Sequence, residues 1–462
     1  MIINPFVFAR TPNIIFGRGR FKDIASIASG FGRRALVVTG GGSLIKSGRW
    51  DELCALLDAK GVEFERFVFS GEPSPEDVDR AVAMYRGGGI EVVLAVGGGS
   101  VIDGGKAISA MLPSGNSTLD YLEGVGTRLH DGRKTPFIAV PTTAGTGSEA
   151  TKNAVLSRIG RSFQSGQSGP SGQSGLSGLS GLSGLSGRTG LSGQSGLPSL
   201  PGQSDRTDQS GGFKKSLRHD NFVPDVALVD PELTLSCPPD ISAACGMDAF
   251  VQLLESYVSV KASPFTDALC ESALPLVGRS LAASCTHGAG DIGVRADMSY
   301  AATVSGITLA NAGLGLVHGF ASALGGFCNA PHGVICGTLI GSATVAVVAA
   351  LRRTGGAAPA SKSGTNAPAK YALAKYARAG ALLTGRSGNL NALTGATLTN
   401  ETLVDALIET IDTWTSTLNL PRLGLYGVGP GDIEKLAFEA SNKEAPVKLS
   451  PDEIAAVLGE RI

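Results

Sequence analysis

Apolar residues in the first half of the chain fall into two alternating patterns. Short continuous runs, such as ALVV at 35–38 and VVLAV at 92–96, predict buried strands. Residues 50–59 and 75–86 instead carry apolar positions at helical spacing, and 63–69 predicts a further strand. Because strands alternate with helices, the pattern predicts a parallel sheet that is covered by helices on both faces.

The second half of the chain has a helical pattern almost throughout. Apolar residues recur there every three or four positions, and glycines, prolines and asparagines separate the periodic stretches. The predicted helices span 241–262, 264–283, 291–312, 316–324, 333–353, 371–383, 403–418 and 430–440. We therefore expect an α/β domain over residues 1–230 and an all-α domain over residues 231–462, with a small-molecule site in the cleft between them.

The opening segment, residues 1–21, reads MIINPFVFARTPNIIFGRGRF and predicts a pair of strands. It has no basic stretch followed by an apolar core, so it does not resemble a secretory signal. The chain has no run of eighteen apolar residues, and 337–351 is too short and too rich in small residues for a membrane span. We expect a soluble protein in the cytoplasm, with an organellar location left open.

Residues 164–212 differ in composition from the rest of the chain. Glycine recurs at every third position from Gly166 to Gly196, but Pro170 is the only proline in that run, which is unlike collagen. The segment cannot bury enough apolar surface to offset its ordering entropy, so it predicts a disordered Gly/Ser insertion. Its flanks resemble the two arms of one hairpin. Residues 354–368 predict a second exposed loop.

Composition narrows the class of partner. The 462 residues carry a formal net charge of -1, which gives no basic surface for nucleic acid or an anionic membrane. The seven cysteines are dispersed and lack C-x-x-C spacing, as expected for reduced thiols. The partner is therefore expected to be a small molecule.

Three turns that follow predicted strands are rich in glycine and hydroxyl groups. They contain Gly40, Gly41, Gly42 and Ser43, then Gly97, Gly98, Gly99 and Ser100, and then Thr142, Thr143 and Thr146. Glycines let backbone N–H groups approach a pyrophosphate, and the N-terminus of a following helix favours its charge. The turns predict a nicotinamide dinucleotide site, and ordinary tight connections between strand and helix are the alternative.

Two of the five histidines indicate a metal site. His318 lies in a predicted helix, and His332 follows fourteen residues later, after a chain break at glycine and proline. A transition metal needs further ligands, and the best candidate is Asp248, which shares one helical face with Gln252. In the alternative reading, Asp248 pairs locally and both histidines are ordinary core residues.

These stretches together resemble one known family. Five stretches resemble motifs of the iron-containing alcohol dehydrogenases of the dehydroquinate synthase-like superfamily. They are GMDAFVQLLESYV, VHGFASALGG, APHG, GGGSVIDGGKA and IAVPTTAGTGSEATKNAV. The resemblance covers nearly the whole chain outside the insertion and the 354–368 loop. It implies an N-terminal Rossmann-like parallel-sheet domain and a C-terminal all-α domain.

The resemblance also implies roles for individual residues. Asp248, His318 and His332 match three ligands of a divalent metal, either Fe(II) or Zn. Gln252 stands where the family usually has a ligand histidine, and it offers only a neutral carbonyl oxygen. Ser322 stands where the family has a histidine that assists proton transfer, although a hydroxyl is a poor general base near neutral pH.

Cofactor preference is implied by the same comparison. Asp103 and Lys214 match positions near the family's cofactor. Gly40 stands where NAD-preferring members place an aspartate that would repel a 2′-phosphate. The resemblance therefore favours NADP(H) over NAD(H), and the alternative is that either cofactor is accepted.

Three functions follow from these expectations. The first is a metal-dependent alcohol dehydrogenase or aldehyde reductase that transfers hydride between a nicotinamide and a small alcohol or carbonyl. The second is a metal-free NAD(P)H reductase resembling the maleylacetate reductases, and the third is a non-catalytic nucleotide-binding protein whose metal site has decayed. A homo-dimer or larger homo-oligomer is expected in each case.

Overall fold

The computed structural model describes residues 5–158, 212–354, 367–386, 399–440 and 444–462. Apart from their end residues, the insertion predicted at 164–212 and the loop predicted at 354–368 lie outside those ranges. Both therefore stay predictions.

Six parallel strands form the central sheet. They are β1 (Asn13–Phe16), β2 (Arg34–Thr39), β3 (Glu63–Val68), β4 (Val92–Gly97), β5 (Phe137–Pro141) and β8 (Val226–Val229). Their order across the sheet is β1-β8-β5-β4-β2-β3. Since β5, β4 and β2 are parallel neighbours, the turns that follow them all open at one edge.

Both faces of this sheet are buried, as the continuous apolar runs predicted. Leu36 and Val38 belong to the hydrophobic cluster on one face, whereas Ala35 and Val37 belong to the cluster on the other. Helices supply the covering layers. They are α1 (Ile24–Ser29), α2 (Ser43–Lys46), α3 (Arg49–Ala59), α4 (Pro75–Tyr85) and α5 (Gly99–Met111).

A separate antiparallel ribbon joins the sheet to the helical half. Its strands are β6 (Asn153–Arg158) and β7 (Phe213–Arg218), which pair from Asn153 opposite Arg218 to Arg158 opposite Phe213. The ribbon packs against α5. The predicted pairing of the two arms that flank the insertion is confirmed by this register.

The second half is helical. Its helices are α6 (Pro239–Val258), α7 (Pro264–Ser284), α8 (Ile292–Ala312), α9 (Leu316–Phe327), α10 (His332–Arg353), α11 (Ala367–Thr384), α12 (Asn400–Thr417), α13 (Ile433–Glu439) and α14 (Pro451–Gly459). α6 is central, because α7, α8 and α10 all pack against it. The fold class is confirmed: a parallel-sheet domain is followed by an all-α domain. The boundary at residue 230 stays a prediction.

The opening segment corrects one expectation. Within residues 5–16 the structure has one strand, β1, which pairs with β8, so the predicted pair of strands is wrong there. Phe6 and Phe8 make edge-to-face contacts with Phe265 of α7. The apolar residues that suggested a strand therefore pack on a helix of the second domain.

One helix of the described residues, α10, is long and apolar enough to cross a membrane. The bent pair of α8 and α9 meets the same test only if its 97° bend is ignored. In α10, 78% of the apolar window is buried inside the molecule. That burial identifies α10 as a core helix, which passes such a test for the same reason as a membrane span.

Candidate metal centre and cofactor edge

The metal ligands predicted from the sequence lie on three helices that converge in the second domain. α6 begins at Pro239, where the missing proline N–H has no intrahelical partner to lose. Its third turn carries Asp248, whose residue exposure is only 1%. A carboxylate buried to that extent requires charged or metal partners.

Interruptions between successive helices bring both histidines close to this carboxylate. Gly313 ends α8 with φ +71°, and α9 then starts at Leu316, so His318 lies in the first turn of a new helix. Pro331 precedes α10, and His332 is the first residue of α10. The predicted break between the two imidazoles therefore points both of them at α6.

Four side chains form a compact cluster of metal-ligating atoms. One donor atom from each of Asp248, His318, His332 and Cys336 lies within 4.8 Å of all the others. Oδ1 of Asp248 is 3.4 Å from Nε2 of His318 and 3.6 Å from Nε2 of His332. Sγ of Cys336 is 3.7 Å from Nε2 of His318 and 3.8 Å from Nε2 of His332.

The cluster fits a divalent cation on a further ground. Oδ1 of Asp248 is buried and has no hydrogen-bond partner among the described residues. An orphaned carboxylate oxygen is costly inside a protein, and a bound cation would remove that cost. The donor set of one carboxylate, two imidazoles and one thiol suits zinc or iron.

Protons occupy part of this cluster when no metal is bound. Burial disfavours charge on His318, yet Cys336, Asp248 and Glu255 outweigh burial and raise the pKa of His318 well above its ordinary value. Burial lowers the pKa of His332 to about 4 and raises the pKa of Cys336 to about 11. A metal must therefore displace protons from His318 and Cys336 as it binds.

Glu255 orients His318 from outside the cluster. Its carboxylate accepts a hydrogen bond from Nδ1 of His318 at 2.7 Å. The same carboxylate accepts the backbone N–H groups of Gly315, the residue before α9, at 2.9 Å and of Val317, the second residue of α9, at 2.7 Å. Glu255 thus caps α9 and leaves Nε2 of His318 facing Asp248.

Gln252 and Ser322 are placed differently from the three ligands. Oε1 of Gln252 accepts a hydrogen bond from Oγ of Ser305 at 2.7 Å, so the only ligating atom of this side chain already has a partner. Ser322 lies one turn after His318 on α9 and is exposed. Neither role predicted for these residues is tested by their positions.

Cys336 is the one member of the cluster that was not predicted from the sequence. The signal was present, because His332 and Cys336 stand four residues apart in HGVIC and must share one face of a helix. The fourth ligand predicted from the sequence, Gln252, lies on α6 instead of α10.

The glycine-rich turns meet at the edge predicted for the cofactor. The turns after β2, β4 and β5 are adjacent because those strands are neighbours in the sheet. Gly99 and Ser100 open α5, where the first N–H groups of a helix have no intrahelical acceptor. A Cβ on Gly99 would lie 2.5 Å from Cγ2 of Thr146, so the second and third turns are in contact.

Buried charges hold the third turn in place. Lys106 on α5 donates hydrogen bonds to the backbone oxygens of Ser148 at 2.8 Å and Asn153 at 2.6 Å, and to Oγ1 of Thr151 at 2.9 Å. Asp103 accepts the N–H of Val155 at 3.1 Å. Lys106 and Asp103 therefore fasten residues 148–155 to α5, so Asp103 has a structural role whatever its role toward a cofactor.

Lys214 lies between the two sites. Its Nζ pairs with Glu72 at 2.6 Å, and its side chain crosses Gly325 of α9. Both charges act on His332: Lys214 lowers the pKa of that imidazole and Glu72 raises it. The predicted cofactor lysine is thus close to the exposed side of the metal cluster.

The cofactor edge and the metal cluster share a wall. A Cβ on Gly145 would lie 2.8 Å from Cβ of Cys245, which precedes Asp248 by three residues on α6. Gly147, with φ +61°, meets the backbone of Gly306 on α8, and Glu149 accepts a hydrogen bond from Thr303 at 2.9 Å. The turn after β5 therefore packs directly against the helices of the second domain.

Comparison with known proteins identifies this arrangement. The family described as iron-containing alcohol dehydrogenase matches residues 11–166, and the C-terminal part of the Fe-containing alcohol dehydrogenase family matches residues 242–461. The chain belongs to the iron-containing alcohol dehydrogenase family. Both stretches include the residues that carried the resemblance in the sequence.

Individual members of the family are similar over most of their length. The long-chain-alcohol dehydrogenase 1 of Geobacillus thermodenitrificans is 31% identical over 69% of this chain and 67% of its own. The NADPH-dependent butanol dehydrogenase of Clostridium saccharobutylicum is 28% identical over 71% of this chain and 70% of its own. A crystal structure of 1,3-propanediol oxidoreductase superposes with a TM-score of 0.74 at 25% identity, covering 99% of this chain and 100% of the other.

Family membership decides among the three functions left open by the sequence. The chain is a metal-dependent alcohol dehydrogenase, an oxidoreductase that acts on CH–OH groups with a divalent metal and a nicotinamide cofactor. Its substrates are small alcohols or aldehydes.

Proposed function

We propose that this enzyme exchanges a hydride between C4 of NADP(H) and the carbinol carbon of a small alcohol, at a metal held by Asp248, His318 and His332. A divalent metal in that position supplies a Lewis acid that favours the alkoxide or polarises the carbonyl. In the oxidative direction the carbon loses a hydride to the nicotinamide, and the hydroxyl loses its proton.

The contact between Gly145 and Cys245 carries this proposal. Through it, the turn proposed to bind the cofactor lies one helical turn from Asp248. Hydride transfer requires donor and acceptor carbons in near contact, so a cofactor site and a metal site must share a wall. Two unrelated binding sites would have no reason to do so.

Access to the cluster is from the side of His332. The His332 side chain is 28% exposed, whereas those of Asp248 and His318 are 2% and 10% exposed. The substrate oxygen therefore enters beside His332, near the Lys214–Glu72 pair. Ser322 is exposed on α9, so a proton released from the substrate can pass to water beside it.

The turn after β2 supports NADP(H) as the preferred cofactor. Gly40 contributes no carboxylate, and a Cβ on Gly41 or Gly42 would meet no atom within 4 Å, which leaves room for a 2′-phosphate. Nε of Arg66 donates to Oγ1 of Thr39 at 3.1 Å, so a guanidinium lies beside the end of β2. Relatives are named for either cofactor, so this preference depends on the local geometry.

Gly40→Asp tests this preference. The new Cβ would lie 3.5 Å from Val101, an ordinary contact, so the fold should tolerate the substitution. A carboxylate there repels a 2′-phosphate, and we expect kcat/KM for NADPH to fall at least about tenfold relative to that for NADH. An unchanged ratio would remove Gly40 as the determinant.

The site itself is tested by metal analysis coupled to turnover. Wild type purified without added metal should contain near-stoichiometric Zn or Fe and should reduce small aldehydes with NADPH. Chelation should abolish the activity, and returning the metal should restore it. Turnover that persists after complete metal removal would contradict the proposed site.

We further propose that the enzyme is a cytoplasmic homo-dimer or larger homo-oligomer. Phe6, Val7 and Phe265 form an apolar surface patch at the junction of the two domains, with Val7 87% exposed. Such a patch is typical of a contact between subunits. Sedimentation equilibrium of wild type beside Phe265→Ser tests it, because a dimer formed through this patch should dissociate in the variant.

A further inference from the structure

We propose that Sγ of Cys336 is the fourth protein ligand of the metal, so that this centre is an Asp–His–His–Cys site selective for zinc over iron. The inference rests on the proposed function, since it names the ion and completes the ligands of the same site.

The interatomic distances match a tetrahedral zinc site. Zinc bonds of about 2.3 Å to sulfur and about 2.05 Å to nitrogen place those two atoms about 3.6 Å apart at the tetrahedral angle, and nitrogen and oxygen ligands about 3.4 Å apart. The Sγ atom of Cys336 lies 3.7 and 3.8 Å from the two imidazole nitrogens. Oδ1 of Asp248 lies 3.4 and 3.6 Å from the same nitrogens.

Cys336 differs from other buried cysteines of the chain. The thiols of Cys270 and Cys285 contact backbone carbonyl oxygens, those of Leu253 and Leu281, at 3.5 and 3.4 Å. That contact is the usual way to satisfy a buried S–H group. Cys336 instead contacts two imidazoles beside a carboxylate, and an ordinary core cysteine has no need of such neighbours.

The thiol of Cys336 lies one helical turn after His332 on α10. Cys336 follows His332 by four residues on α10, so both donors project to the same side. The alternative neutral donor, Oε1 of Gln252, is held by Oγ of Ser305. The fourth ligand is therefore supplied by α10, because the amide oxygen on α6 already has a hydrogen-bond partner.

A thiolate ligand changes which ion the centre prefers. Soft sulfur favours Zn²⁺ over Fe²⁺ more strongly than oxygen or imidazole does. Four protein ligands leave no vacant tetrahedral position, so the substrate oxygen would bind by expansion to five ligands on the exposed side of His332. The enzyme would then retain its metal in air, because zinc has no redox chemistry.

Cobalt spectroscopy tests the sulfur ligand directly. Co²⁺ replaces zinc in tetrahedral sites and shows an intense thiolate-to-metal charge-transfer absorption in the near ultraviolet only when sulfur is bound. Full-length wild type loaded with Co²⁺ should show this band. Cys336→Ser should lose it, and Cys328→Ser should retain it, since Cys328 is equally buried but lies outside the cluster.

Metal competition provides the second measurement. In Cys336→Ser we expect zinc affinity to fall by about 100-fold or more, and the ratio of bound Zn to bound Fe under anaerobic competition to fall at least tenfold. Adding Gln252→His to Cys336→Ser should restore metal retention without the charge-transfer band, which would show that a chain with serine at this position can fold and build the site.

The outcomes separate this inference from the proposed function. Wild type that binds Co²⁺ and turns over, yet lacks the charge-transfer band, would refute sulfur ligation and leave the metal-dependent reaction intact. A Cys336→Ser variant whose zinc affinity stays within threefold of wild type would do the same. Wild type that binds neither Co²⁺ nor Zn²⁺ would refute both.

Discussion

The cofactor edge and the metal centre are built from different parts of the chain. The edge depends on backbone groups in three turns, whose glycines allow close approach and whose threonines add hydroxyls. The proposed centre uses four side chains from α6, α9 and α10. The second and third turns tolerate no Cβ without a shift at Gly99 and Gly145, where it would lie 2.5 and 2.8 Å from a neighbouring residue, whereas a side-chain site can replace one ligand by another that reaches the same point from a neighbouring turn.

Asp248→Asn should give the largest difference between the two sites, because it should remove the metal and leave cofactor affinity nearly unchanged. The amide cannot pair with both histidines or bind a cation as a carboxylate does, so metal content should fall to background and kcat/KM by at least about a thousandfold. The dissociation constant for NADPH, measured by fluorescence titration, should change less than about twofold. Asp297→Asn, which alters the ion pair between Asp297 of α8 and Arg279 of α7, is the matched control. If the affinity of Asp248→Asn for NADPH fell by as large a factor as its kcat/KM, the two sites would not be separable.

Glu255→Gln should weaken the centre without removing a ligand. The amide no longer fixes the Nδ1–H tautomer of His318, and zinc affinity should fall by about 10- to 100-fold, as is typical of outer hydrogen-bond partners. Competition with a chromophoric chelator measures it. Because Glu255 also caps α9, thermal unfolding of the zinc-free protein should be recorded alongside. A loss of zinc affinity fully explained by loss of fold would argue against a positioning role.

Gly99→Val should damage the cofactor edge and spare the centre. Its Cβ would lie 2.5 Å from Thr146, which forces the second and third turns apart. We expect NADPH affinity to fall about tenfold or more, with zinc content unchanged. Gly115→Ala, where a Cβ meets nothing within 4 Å, provides a control of similar chemistry. Wild-type affinity in Gly99→Val would mean that the cofactor does not bind at this edge.

The smallest expected effect is the contribution of Lys106 to the pH dependence of the free energy of unfolding. Burial lowers the pKa of Lys106 to about 8 from a usual value of 10.5. Between these pH values the unfolded lysine holds a proton that the folded one has lost, so the free energy of unfolding should rise with pH, by at most about 1.4 kcal/mol per unit. Lys106→Met should lack this rise, as measured by denaturant titration at several pH values. An identical slope in both proteins would assign the titration to another group.

Sequence reasoning was most successful where a pattern repeats locally. The strands of the sheet and the helices from 241 to 440 were predicted to within a few residues, because burial on two faces or on one stripe leaves a regular apolar spacing. The opening strand pair was wrong, because Phe6 and Phe8 pack on Phe265, a residue distant in the chain whose proximity no local pattern encodes.

The same distinction applies to the candidate site. Asp248, His318 and His332 were predicted from motifs, and the structure brings them together. Cys336 was missed although it stands four residues after His332, because a cysteine in an apolar helix looks like core until α6 and α9 are placed beside it. The orienting contact of Glu255 with the start of α9 likewise depends on a bend between two helices, which composition alone does not fix.

The backbone contact between Gly147 and Gly306 limits how this protein can evolve. A Cβ on Gly306 would overlap the carbonyl of Gly147, and Gly147 itself has a positive φ. A single alanine at either position would open the seam between the domains and carry the turn after β5 away from α6. A lost ligand side chain can be replaced by another side chain that reaches the same point, but a Cβ at this seam would meet backbone atoms, which no neighbouring side-chain substitution removes.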